Sequence, residues 1–336
     1  RCVIPFHSGI SLWGPICQFW VGGVEAFFVI SAFFLVRKYW GGGSISVKDQ
    51  FKHRITRLYP PYVAVLIVAA LYALLMRAIP FDLVTHLLSA QNFQWMITGY
   101  KSSMQPMTAH TWTLSIEVWG GLTWLLLLKW LSKDQFRKTM YAMLVVGITY
   151  RVVTVLIGAD VWIISLCPLA HFDAFACGSL LAIGIKEDKV DWKIGTLGIL
   201  GLGGIVGCIT WIAHTNGINW VAAYQLLSSS KNYLNNWFTG NIYLFISLLT
   251  TFMVGLLYLH DEQKSSGVGT IGRAFVRLGD YSYVLYLFHW PILVVLKRLV
   301  HHWGVLLPLT FIISIGAALI FNMLYAQMQK KLLGGK

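Results

Sequence analysis

Acid is scarce in this sequence: 13 Asp and Glu stand against 26 Lys and Arg in 336 residues, and only 12% of the chain is charged. Soluble domains carry about 25% charged residues, so a water-soluble globule of this length is excluded. Cysteine is equally thin. The five (Cys2, Cys17, Cys167, Cys177 and Cys208) are odd in number and contain no Cys-x-x-Cys pair, which argues against a disulfide framework and a thiolate metal site. Buried small apolar side chains are expected there. The ten histidines show no His-x3-His or His/Glu clustering, so no metal is expected. No linker, composition shift or internal repeat divides the chain. A single transmembrane domain over 1–336 is therefore expected, with no soluble extracytoplasmic domain.

What the chain does have is apolar length. It is 57% hydrophobic, with fifteen tryptophans. Runs of about twenty apolar residues each suffice for a span. They predict an all-α integral membrane protein of about ten helices: one ending near Leu12, then 20–36, 58–76, 112–131, 139–157, 162–185, 194–213, 241–259, 281–297 and 304–327. Arg1-Cys-Val-Ile-Pro-Phe-His7 begins inside an apolar run without Met, so the first helix is expected to be truncated at its start.

Nineteen of the 26 basic residues fall in alternate connections or the tail, which places both termini in the cytoplasm by the positive-inside rule. Topology thus accounts for most of the +13 net charge, and no nucleic-acid partner is expected. Lys48, Lys52, Arg54 and Arg57 form a dense collar with His53 at the inner mouth of the third helix, a pattern that also suits anionic lipid. The opposite connections hold only Arg77, Lys101, Lys231, Lys297 and Arg298. One of these connections contains Leu83–Ile97, too short and too polar for a span and suited to an interfacial or re-entrant helix. Glycines at 195, 198, 201, 203, 204 and 207 read as close helix packing.

Four carboxylates lie in hydrophobic runs: Glu25, Glu117, Asp173 and Asp280. An intramembrane Asp costs roughly 2.5–3.5 kcal/mol on insertion scales, so a polar cavity, a partner charge or a chemical task is implied. The charge map puts His7, Glu25, Glu117 and Arg151 in the outer half, Asp173 and His289 nearer the middle, and Arg54 and Arg57 at the inner mouth. Guanidinium forks three residues apart suit phosphate oxygens. A histidine near a carboxylate is the ordinary recipe for a general base. Arg151 with Asp173 also suits a purely structural ion pair. Ser115, two residues before Glu117, reads as a site-lining hydroxyl rather than a nucleophile.

Five stretches carry a resemblance, in order: Gly23-Val-Glu25-Ala-Phe27-Phe28-Val-Ile-Ser31-Ala-Phe33, His53-Arg54-Ile-Thr-Arg57-Leu-Tyr59-Pro60, Trp112-Thr-Leu-Ser115-Ile-Glu117, Phe172-Asp173-Ala-Phe-Ala-Cys-Gly178 and Ser282-Tyr-Val-Leu-Tyr286-Leu-Phe-His289-Trp-Pro291. Over nearly its whole length the chain resembles the bacterial acyltransferase-3 membrane proteins. That resemblance implies an O-acetyltransferase of the bacterial inner membrane, with cytosolic acetyl-CoA or another acyl-CoA as donor. The acceptor would be a cell-surface glycan or lipid-linked saccharide, placing the protein in cell-envelope polysaccharide modification. It also implies His7 and Glu117 as catalytic residues and Arg54 and Arg57 as donor contacts. Glu25, Trp112, Ser115, Arg151, Asp173 and His289 would line the site. The competing class is a proton-coupled exporter of a lipid-linked or small solute, since buried His and carboxylates also build proton relays.

Overall fold

The computed structural model describes residues 13–40, 45–79, 82–99, 103–187, 189, 193–220, 222–223, 238–263 and 270–333. All regular structure among them is helical. In chain order the helices are α1 (Trp13–Tyr39), α2 (Val47–Leu75), α3 (Leu83–Leu87), α4 (Gln91–Thr98), α5 (Gln105–Thr108), α6 (Trp112–Trp130), α7 (Lys133–Leu156), α8 (Val161–Leu166), α9 (Phe172–Lys186), α10 (Lys193–Asn216), α11 (Ile242–Gln263), α12 (Thr270–Leu296) and α13 (Trp303–Leu333). Among the described residues seven helical segments are long and apolar enough to cross a membrane: Val47–Leu75, Gln105–Trp130, Lys133–Leu156, Pro168–Lys186, Ile194–Asn216, Thr239–Leu259 and Gly304–Met328; Tyr281–Leu296 is a shorter apolar helix. The expected first helix, with His7, lies outside the described residues.

Two helices begin well before their apolar runs. α2 starts at Val47, where Ser46 Oγ accepts from the Asp49 amide at 3.3 Å. α7 starts at Lys133 behind a capping box, with Ser132 and Gln135 each bonding the other's backbone amide. Such caps satisfy amides at a helix start. Hydropathy marks where the apolar stretch begins, and capping marks where the helix does.

Residues 162–185, expected as one helix, are broken. Pro168 disfavours helical geometry at Cys167, which is extended, and a 3₁₀ turn over Pro168–His171 leads into α9. Side chains take the carbonyls loosened by the break: Tyr150 Oη donates to Ile163 at 3.0 Å, His171 Nε2 to Ser165 at 3.0 Å, and Arg151 to Ala170.

The chain forms two compact units, Arg1–Ser44 with Trp130–His260, and Ile45–Lys129 with Asp261–Lys336. In the first, α1 lies along α9. Phe28 and Phe175 stack at 5.1 Å between ring centroids, and Gly178 lets the backbones meet. A Cβ at Gly178 would overlap the Val29 carbonyl oxygen and lie 2.9 Å from its carbon. Gly201 is likewise packed on the backbone of Phe245 and Leu249 in α11, the close approach its spacing predicts. Cys167, Cys177 and Cys208 are buried and unbridged. Gly178→Ala is expected to cost about 1–3 kcal/mol, the usual range for overpacking, seen as a lower melting temperature in detergent. Gly203→Ala, which meets nothing within 4 Å, should leave it unchanged or slightly raised.

In the second unit α2 is the spine. Leu58, Tyr62, Val65 and Leu66 bury against Met104, Met107, Leu114 and Leu287. Pro60 has no amide proton for the Thr56 carbonyl, and Tyr325 Oη donates there instead at 3.3 Å. The Leu83–Ile97 stretch is a hairpin of α3 and α4 with Ser89 at its tip, where φ is +51°. Tyr59 bonds Ser89 Oγ at 2.9 Å. Tyr59 is sixteen residues before the end of α2, so the tip is folded back about 24 Å along that helix. Of the polar residues that disqualify this stretch as a span, His86, Gln91 and Asn92 are fully buried and Gln94 is half-buried. His86 bonds Thr108, Gln91 bonds Thr111, and Asn92 bonds the Trp112 carbonyl.

Candidate functional site

In the second unit Arg54 of α2 carries its guanidinium onto the Glu117 carboxylate of α6, the two side chains being 13% and 2% exposed. Gly121, one turn beyond Glu117, makes this possible. A Cβ there would overlap Arg54 Nη1 and lie 2.5 Å from Cζ. Ser115 and Trp119, on the same helix, both donate to the carbonyl of Ser89, at 2.5 and 3.0 Å. The Ser115 hydroxyl proton is thus directed at a backbone oxygen.

The contact puts Arg54 and Glu117 at one level, where the charge map separates them into inner mouth and outer half. Helical winding toward α6 already begins at Gln105, so Glu117 is thirteenth of the 26 residues of Gln105–Trp130. It lies mid-span. Arg57, three residues after Arg54, is exposed, and Trp112 is half-buried.

Near the start of α6 sits a pair of histidines. Pro291 inside α12 offers no amide to the Leu287 carbonyl, four residues earlier. His110 Nε2 donates to that oxygen instead, at 3.0 Å. Its Nδ1 is then a lone-pair acceptor, buried and without a hydrogen-bond partner among the described residues. His289 lies edge-on to His110 with centroids 5.4 Å apart, and its Nδ1 donates to the Tyr286 carbonyl at 2.5 Å. Tyr286 Oη donates back to the His110 carbonyl at 2.7 Å.

The first unit holds a second buried polar set. Glu25 Oε1 is 2.5 Å from His171 Nδ1, and neither side chain is exposed. His171 Nε2 faces the Ser165 carbonyl at 3.0 Å. A carbonyl can only accept, so Nε2 carries a hydrogen, and a single proton is shared between Nδ1 and the carboxylate. Glu25 Oε2 is buried with no hydrogen-bond partner among the described residues. Beside it Arg151 and Asp173 form a bidentate pair at 2.6 and 3.1 Å, both fully buried, and Arg151 Nε reaches Asn241 Oδ1 at 3.0 Å. Arg151 thus closes the broken span as well as balancing Asp173.

The second unit joins Glu117 to Arg54, which the charge map keeps at different levels, and the first unit holds Arg151 on Asp173, the ion pair that the sequence already suits. His171, His110, Tyr59, Ser89 and Gly121 were not picked out as site residues. The available signals were local: His171 immediately precedes Phe172-Asp173, and Gly121 is one turn from Glu117. No cluster of three or more His, Cys, Asp or Glu suited to a metal occurs among the described residues.

A family model described as an acyltransferase domain, of the acyltransferase-3 type, matches residues 5–327. The chain belongs to the acyltransferase-3 family. Nothing matches it among curated proteins or among solved structures. The family match and the seven apolar helices make this chain an integral membrane acyltransferase, which uses an acyl donor and an acceptor. Within this acyltransferase the matched span contains His7, Glu25, both arginines of the Arg-x-x-Arg stretch, Glu117, Asp173 and His289.

Proposed function

We propose that this acyltransferase moves an acyl group, acetyl by preference, from cytosolic acyl-CoA to a hydroxyl of a cell-surface glycan or its lipid-linked precursor. In this reading residues 1–336 act as one transmembrane domain, crossing the bacterial inner membrane ten times with both termini in the cytoplasm. The concentration of Lys and Arg in alternate connections supports that topology. The observation that carries the functional reading is the Arg54–Glu117 pair, a guanidinium held mid-span in a domain of this family. Arg54 and Arg57 hold donor phosphate oxygens, for which a planar fork is suited. Glu117 orients Arg54, and Gly121 leaves room for it.

His7 acts as general base. It takes the acceptor's hydroxyl proton as the oxygen attacks the thioester carbonyl. The C–S bond then breaks and the thiolate leaves as CoA, taking a proton. Direct attack is favoured over an acyl-serine because the Ser115 hydroxyl is committed to the Ser89 carbonyl.

Acetyl-CoA at a hundred times its Kd should stabilise the purified protein by about 2.7 kcal/mol. His7→Ala should retain that stabilisation and lose transfer of radiolabelled acetyl to envelope glycan by at least about 100-fold, the low end for a general base. Transfer that survives in His7→Ala would overturn the assignment of the base. Absence of both binding and consumption of acetyl-CoA would overturn the choice of donor.

A further inference from the structure

Lys297 and Arg298 go against the charge pattern of the chain, as two adjacent cations in a connection that the positive-inside rule would leave bare. They directly follow α12, and both are exposed. Arg298 is nonetheless pinned. Its Nη2 donates to Tyr72 Oη of α2 at 2.5 Å, and its guanidinium carbon lies 5.2 Å from the centre of the Tyr72 ring. This contact ties the end of α12 to α2 one turn beyond Val68.

Immediately below it lies an apolar groove of about 350 Å³ between α2, α12 and α13. Val65, Val68, Phe288, Pro291, Val295 and Ile313 are among its walls, and every lining residue is apolar. The volume falls in the range of about 300–1,000 Å³ typical of small-ligand sites. Pro291 contributes its ring to the apolar wall. Val295 and Leu296, at one end of the wall, run straight into Lys297 and Arg298. One end of the groove is thus crowned by positive charge and a tyrosine hydroxyl, while the body is hydrocarbon.

We infer that this groove and its cationic crown are a binding site for an anionic, phosphate-bearing membrane lipid, one hydrocarbon chain lying in the groove and the phosphate resting on Arg298 and Lys297. Apolar walls alone would accept any chain. The preset guanidinium selects for the headgroup, because its donors suit phosphate oxygens and a cation near the membrane surface attracts anionic lipid. Tyr72 holds Arg298 in place for that contact, by hydrogen bond and by cation–π attraction. The inference is independent of the acyl donor and acceptor proposed above, and its test reads binding rather than turnover.

Native mass spectrometry of the full chain in detergent would compare phosphatidylglycerol, diacylglycerol with the same chains, and glycerol 3-phosphate. Phosphatidylglycerol is expected to be retained, and the other two not. Lys297→Ala/Arg298→Ala should weaken retention at least tenfold, with no more than the small drop in melting temperature that losing one exposed hydrogen bond and cation–π contact brings. Val68→Trp, filling the groove, should weaken it similarly. Lys129→Ala/Lys138→Ala, which removes the same charge from exposed positions elsewhere, should bind as the parent does. Equal retention of diacylglycerol, equal binding of glycerol 3-phosphate, or undiminished phosphatidylglycerol binding by the Lys297/Arg298 variant would each overturn the assignment.

Discussion

Arg54→Ala is expected to abolish acetyl transfer, to remove the stabilisation by acetyl-CoA, and to destabilise the protein by about 3–5 kcal/mol. The last effect is the usual cost of deleting one partner of a buried ion pair, because the Glu117 carboxylate then stays in the interior without the guanidinium that balances it. The stability and function losses are separable. Arg54→Ala/Glu117→Gln should recover most of the stability, since the charge left behind is gone, yet regain neither transfer nor the response to acetyl-CoA. Arg54→Lys keeps the charge but loses the two-pronged fork, and should fall between the two. Gly121→Ala offers a test that leaves both charges in the chain, because the added methyl occupies the space of Arg54 Nη1. It should cut the response to acetyl-CoA while costing less stability than Arg54→Ala. The readouts are melting temperature in detergent with and without acetyl-CoA, and transfer of radiolabel. A full response to acetyl-CoA in Arg54→Ala would sink the donor-site reading.

Asp173→Ala is expected to lower stability by a similar 3–5 kcal/mol, for a different structural reason. It strands the fully buried Arg151, whose donors otherwise reach Asp173, Asn241 and the Ala170 carbonyl. Replacing both charges with apolar groups of similar size, Arg151→Met/Asp173→Leu, removes the stranded charge and should regain much of the loss. Recovery will be incomplete because Arg151 also satisfies the Ala170 carbonyl at the break before α9, and an unmet buried acceptor costs about 1–3 kcal/mol. A double-mutant cycle with no coupling between the two positions would show that the pair does not support the fold.

The two expectations differ in what the sequence offered. The Asp173 partner was legible as a candidate, since one arginine and one aspartate in neighbouring apolar runs have few other ways to be neutralised. The Arg54–Glu117 pair was not, because the charge map assigned the residues to opposite levels. That map counts from the ends of apolar runs, and it has no way to register that residues 105–111 already wind helically toward α6. His171 escaped notice for a related reason: it falls at the one place where an apparently continuous run is broken by Pro168. His110 was passed over because its partner, the Leu287 carbonyl, exists only through a proline 181 residues further along the chain.

From composition alone came the helical membrane class, because so little charge cannot be reconciled with a water-facing surface. The ordered motifs gave the acyltransferase family, since each is a local string that survives without knowledge of packing. The close packing expected of the α10 glycines holds for Gly198, Gly201, Gly204 and Gly207 and not for Gly195 and Gly203, which meet nothing within 4 Å: a missing side chain is a local fact, but the face it lies on is not. What only the tertiary structure decided is which buried charge meets which. An ion pair is set by the depth at which each helix starts and by the gap a glycine leaves in the neighbouring turn, and both are properties of how helices stack rather than of any run of residues. The tip of the α3–α4 hairpin, the break before α9 and the slot at Gly121 each move a side chain onto a partner distant in the chain. Those three devices bring Tyr59 and Ser115 to Ser89, Arg151 to Ala170, and Arg54 to Glu117.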